Sequence, residues 1–161
     1  MKTDKKVVEI LNDLIRINRD RAEGYEKAAN AIEDSLYDAE IKTVFHQLAE
    51  ESQTNKTELS SIVQQLGGEP ATDTTASGKL YRVWMDVRNT FSGDDTLATL
   101  RSCEYGEDAA QKAYRDALEE SIAWPSNVLD VINSQQKVLK ASHDRIKRYR
   151  DEYKASKISA H

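Results

Sequence analysis

The 161-residue chain lacks most of what punctuates or staples a fold. With two prolines and six glycines, few turns are marked and long stretches run without a breaker. Two phenylalanines and two tryptophans are too few for the core of an all-β domain. The single cysteine, Cys103, excludes an internal disulfide and fits a reducing compartment. No run approaches the ~18 apolar residues that would span a bilayer, and "MKTDKKVVEILNDLIRINRD" has no uninterrupted apolar segment of a signal peptide. The expected setting is the cytoplasm. Positive charge is also in deficit: at a net −5 the chain does not attract polyanions as a whole, so nucleic acid is not an expected partner.

Charge and helix-forming residues are plentiful. Charged residues make up 32% and apolar ones 39%, with Ala, Leu, Glu, Lys and Arg prominent. This length suggests one domain with a core of its own. The spacing predicts a first helix from Thr3 to Leu36, with Val8, Leu11, Ile15, Asn18, Ala22, Tyr25, Ala29, Ile32 and Leu36 on one stripe. Asp38 offers an N-cap for a second helix, whose stripe is Ile41, Phe45, Leu48, Ser52, Asn55, Leu59, Ile62 and Leu66. Gly67 and Gly68 end it.

"GGEPATDTTASG" is loop by composition, and "KLYRVWMDVRNTF" reads as a short amphipathic helix. Leu80, Val83 and Trp84 would seal that helix onto the rest, and its edge offers a homodimer contact. Asp94 or Asp95 caps a third long helix carrying Leu97, Leu100, Cys103, Glu107, Ala110, Tyr114 and Ala117. Pro125 precedes a fourth, with Val128, Ile132, Gln135, Leu139, Ser142, Ile146, Tyr149 and Tyr153. Residues 1–154 form the expected bundle and 155–161 a frayed tail. Helices one and two are tightly joined, as are three and four, so each pair is an antiparallel hairpin. The link between pairs is long enough to run the bundle's length, which is the ferritin-like arrangement. The phrase "EGYEKAA" in helix one returns as "EYGEDAA" in helix three, as two related hairpins would give.

In the order "LNDLIRINRDRAEGYEKAA", "LAEESQ", "LGGEP", "GKLYRVWMDV", "GEDAAQKAY" and "ASHDRI", the chain resembles the ferritin-like superfamily over Lys5 to Tyr153. More narrowly, it resembles a bacterial, rubrerythrin-related branch known as a domain of unknown function. The resemblance implies an all-α ferritin-like four-helix bundle and assigns no activity. In metal-binding members of the superfamily, two helices each give a Glu and the other two each give Glu-x-x-His, all pointing inward. Residues three apart share a helix face, carboxylates bridge hard iron or manganese ions, and imidazole completes the coordination.

Here no Glu is followed three residues later by His. His143 is preceded at that distance by Lys140, and His46 by Thr43. A generous ligand set is Glu26, Glu51, Glu107 and His143, in which Glu26 lies at the edge of its stripe. That set holds one ion more readily than two, since a second would leave positive charge uncompensated in a partly dry interior. Lys140, standing where the superfamily places a ligating Glu, would act as an internal counter-ion in place of a metal.

Plainer roles are expected for most polar residues. Glu107 reads as a buried carboxylate bonded to Tyr25, Asn18 or Ser52, or paired with an Arg. Asn18, Ser52, Asn55, Gln135 and Ser142 would join it in a shared polar layer. Glu23, Glu50, Glu104, Asp108 and Asp144 read as solvated charge, Cys103 as a small core residue, and Tyr25 and Tyr114 as core aromatics. The leading expectation is a non-catalytic structural or interaction protein with a degenerate dinuclear site and no cofactor. The alternatives are a rubrerythrin-like oxidase or peroxidase, or a metal store, using iron or manganese.

Overall fold

The structure, a computed structural model, describes residues 2–32, 36–72 and 96–159. They form four helices: α1 (Lys2–Ala31), α2 (Leu36–Gln65), α3 (Thr96–Glu119) and α4 (Ser126–Ser159). No strand occurs among the described residues. The short helix expected over Lys79–Phe91, and the caps at Asp94 or Asp95, lie outside them. α1 pairs with α2 and α3 with α4; α1 then faces α3, and α2 faces α4.

Two boundaries differ from expectation. α1 stops at Ala31, and Leu36, placed last on its stripe, opens α2 instead. The apolar spacing runs on from Ile32 to Leu36 because neither Gly nor Pro stands between them. α2 therefore begins two residues ahead of Asp38, which lies within the helix and does not cap it. At the other end α4 continues through the segment expected to fray, as far as Ser159.

α2 stops as its glycines require. Gly67 adopts φ +81°, a conformation that costs other L-residues free energy. The Gly68 amide donates to the Val63 carbonyl at 2.9 Å and the Gly67 amide to that of Gln64 at 3.0 Å, satisfying carbonyls the helix end leaves open. Gly68 also packs so tightly on α1 that an added Cβ would sit 2.8 Å from Val8 Cγ1. The chain then climbs along α1. Asn12 clamps it, donating to the Glu69 carbonyl at 3.1 Å and accepting from the Ala71 amide at 2.8 Å. Arg19 next donates to the Thr72 carbonyl. The crossover thus sets off parallel to the bundle axis. At α4 the Pro125 carbonyl accepts from Val128 and Leu129, so Pro125 sits just ahead of the helix.

The core is in two parts. One cluster joins Leu11, Ile15, Leu59, Val63, Ala117, Val128 and Ile132; the other joins Ala29, Ile41, Phe45, Leu100, Cys103 and Ile146. Membership fixes the directions: α1 and α4 run one way, α2 and α3 the other. Burying each Val, Leu, Ile or Phe side chain among them favours folding by about 1.5–3 kcal/mol. Asn18, Arg21, Ser52, Asn55 and Glu107 are buried at intermediate positions along the same helices, between the two clusters.

Candidate functional site

The bundle centre is built around a buried arginine. Arg21 lies three and four residues from Asn18 and Tyr25 along α1, so helical geometry turns all three inward. Arg21, Tyr25 and Glu107 are each fully buried. The guanidinium grips Glu107 of α3 as a two-pronged fork: Nε donates to Oε1, and Nη2 donates to Oε2 at 3.1 Å. Nη2 also lies 2.9 Å from Oε1 of Glu51 on α2, and Nη1 donates to Ser52 Oγ at 2.7 Å. From α4, Ser142 Oγ lies 3.0 Å from both oxygens of Glu51. The Tyr25 ring completes the cage, its centroid 5.4 Å from Arg21 Cζ.

The electrostatics follow from this packing. Burial is the largest single effect on Arg21 and opposes its charge, but Glu107, Tyr25 and Glu51 together outweigh it and hold the guanidinium protonated. Burial pushes the Glu51 carboxyl up, and the Arg21 charge only partly restores it. Burial, reinforced by Glu107, likewise raises the Tyr25 hydroxyl and the Cys103 thiol well above their ordinary values. Cys103 is thus a neutral core residue, not a thiolate nucleophile.

A second polar layer draws on all four helices. Asn18 Nδ2 donates to Tyr114 Oη at 2.8 Å, and Tyr114 Oη donates to Gln135 Oε1 at 2.7 Å. Asn55 Nδ2 donates to Asn18 Oδ1 at 3.2 Å, while Gln135 Nε2 donates to the Asn55 carbonyl at 3.3 Å and to Glu58 at 2.8 Å. The one expected polar layer is therefore two: an ionic cage around Arg21 and a hydrogen-bonded network that ends on the Glu58 carboxylate.

The four candidate ligands do not converge. Glu51 and Glu107 meet on Arg21. Glu26 has a side chain 48% exposed and lies 3.4 Å from His46, away from Glu107. His143 faces the seam between α3 and α4, with Nε2 2.7 Å from Asp108 and Nδ1 3.1 Å from Asp144. Lys140, expected as the internal counter-ion, is instead on the surface, 72% exposed and 3.7 Å from Asp144. Lys140 points to solvent from α4, and Arg21 already fills the centre. Glu104, expected to be solvated, is only 14% exposed and is gripped by Arg150. The superfamily's dinuclear centre does not fit this interior: its two carboxylates bind a fixed cation, and among the described residues no imidazole joins them.

The family profile described as "Domain of unknown function (DUF2383)" matches residues 6–120. The chain belongs to the DUF2383 family. No curated protein matches the sequence. Among solved structures, this DUF2383 bundle is similar to a dodecameric thioferritin, the bacterioferritin-related protein of Bacteroides fragilis. That likeness has a TM-score of 0.76 at 16% identity, covering 97% of this chain and 90% of that one. It is also similar to a ferritin-like, diiron-carboxylate protein from Bacillus anthracis str. Ames, with a TM-score of 0.66 at 16% identity, covering 92% and 96% of the two chains. The fold is therefore a ferritin-like, all-α bundle. Among the described residues no helix is long and apolar enough to cross a membrane.

Arg21 is the residue that sequence reasoning missed. A signal was present: Leu14, Asn18, Arg21, Tyr25, Ala28 and Ile32 also alternate four and three apart, and every one is buried. Following one residue per turn along Ile15, Asn18, Ala22 and Tyr25 passed over it.

Proposed function

We propose that this protein is a non-catalytic structural or interaction module, in which Arg21 supplies the internal positive charge that metal ions supply in metal-binding ferritin-like bundles. The observation that supports this most directly is the guanidinium buried between Glu107 and Glu51. A divalent ion entering there would meet a fixed positive charge and carboxylates whose lone pairs are already engaged. An oxidase, peroxidase or metal store using this interior would need those carboxylates free.

The test is anaerobic titration with Fe(II) or Mn(II), followed by elemental analysis, on wild type and Glu107→Gln. Whatever metal binds, the stoichiometry should be the same in both, and iron-loaded protein should not turn over peroxide or oxygen. Binding lost in Glu107→Gln, or turnover by the wild type, overturns the reading. Association between copies accords with a structural role, and the Bacteroides fragilis protein of similar fold is dodecameric. A homodimer is the smallest such assembly, and sedimentation equilibrium returning only monomer would remove this part of the proposal.

A further inference from the structure

The seam between α3 and α4 holds a set of donors that the interior cage does not use. Glu104 and Asp108 stand four apart on α3 and so share a face. His143 reaches them from α4, its Nε2 2.7 Å from Asp108 Oδ1 and 4.0 Å from Glu104 Oε1. One ligand atom from each of the three lies within 4.8 Å of the others. A tetrahedral ion with bonds of ~2.1 Å holds its ligands ~3.4 Å apart. The observed spacings straddle that value, and Asp108, 59% exposed, is free to adjust.

The group is more than a patch of acid. Its nitrogen donor is oriented from behind: Asp144, not one of the three, lies 3.1 Å from His143 Nδ1. A carboxylate in that position orients the ring, as in metal-bound histidines, and an ion taken up at Nε2 would replace the proton that Nε2 shares with Asp108. His143 is only 17% exposed. An open cavity of about 270 Å³, lined by Asp108, Gln111, His143 and Asp144, provides an entry path. The opposing charges are also plain. Arg150 holds Oε2 of Glu104 and leaves Oε1 facing His143; Lys140 pairs with Asp144; and Arg115 and Lys140 also line the cavity.

We propose that Glu104, Asp108 and His143 form a mononuclear site for a first-row divalent transition-metal ion, with Asp144 as the residue that positions the imidazole. Asp108 and the Oε1 of Glu104 supply the oxygen donors, Glu104 sharing its charge with Arg150, and a mixed oxygen and nitrogen set suits Mn(II), Co(II) and Zn(II), with water completing the shell. The site shares no residue with the Arg21 cage, so it stands or falls separately from the proposed function.

The experiment uses the full chain, stripped of metal by chelator dialysis. Mn(II) should broaden backbone amide signals around residues 104–108 and 143–144. Calorimetric titration with Zn(II) should give one ion per chain. His143→Gln and Asp108→Asn should each weaken Zn(II) binding by at least about tenfold, and Asp144→Asn by about tenfold through loss of orientation. His46→Gln and Glu107→Gln should leave it unchanged. Near-UV circular dichroism confirms that each variant is folded, and the broadening of the wild type needs no variant at all. No uptake, broadening centred on Glu26 and His46, or a His143→Gln variant that binds Zn(II) as the wild type does would overturn the proposal.

Discussion

Removing a guanidinium from water costs several kcal/mol, and Arg21 offsets that cost only because its planar fork meets Glu107 on two prongs, with Glu51 and Ser52 taking further N–H groups. Breaking one side of such a pair is worse than replacing both. Arg21→Met should lower stability in urea unfolding by about 3–5 kcal/mol, because it leaves Glu107 charged and unpaired in the core. Arg21→Met combined with Glu107→Leu should recover most of that loss. A double variant less stable than the single one would show that the pair is held for its own strength. Arg21→Lys should not rescue, since an ammonium offers no matching fork. This pair was half legible in advance. Glu107 sits on the apolar stripe of α3 and demands a partner, but nothing local to either helix names Arg21 as that partner.

At the scale of elements, propensity and periodicity carry most of the information. α2 and α3 follow from apolar spacing, and the stop at Gly67 follows from glycine's tolerance of φ +81°. Gly67→Ala should therefore cost about 1 kcal/mol in thermal denaturation, although no atom lies within 4 Å of the added methyl. An unchanged midpoint would mean the turn relaxes at no cost. The end of α1 was not legible, because Ile32 and Leu36 continue the spacing and no Gly or Pro stands between them. Neither was the role of Asn12, whose neighbours in sequence say nothing of the Glu69 and Ala71 backbone that it binds.

Over the whole molecule, two apolar clusters share their four helices with two polar layers. Apolar packing alone tolerates sliding of one hairpin past the other by a turn, whereas hydrogen bonds that join all four helices do not. Asn18, Asn55, Tyr114 and Gln135 make such a network, and each bond depends on axial position. Tyr114→Phe should cost about 1–3 kcal/mol, since it leaves buried groups of Asn18 and Gln135 short of a partner. A loss near zero in chemical unfolding would mean that water enters and replaces the hydroxyl.

The chain by itself determined the four long helices and their pairing into hairpins, because these follow from local periodicity, helix stops and loop lengths. It also marked Glu107 as a buried carboxylate. Only the tertiary structure decided where the charges meet. It turned Arg21 inward to Glu107 and Glu51, left Lys140 at the surface, and drew His143 away from Glu51 and Glu107 to Asp108 and Asp144. The physical reason is that helix formation is set by neighbours along the chain. A salt bridge or a ligand set depends on the rotation and axial offset of helices far apart in sequence, and no local pattern encodes those.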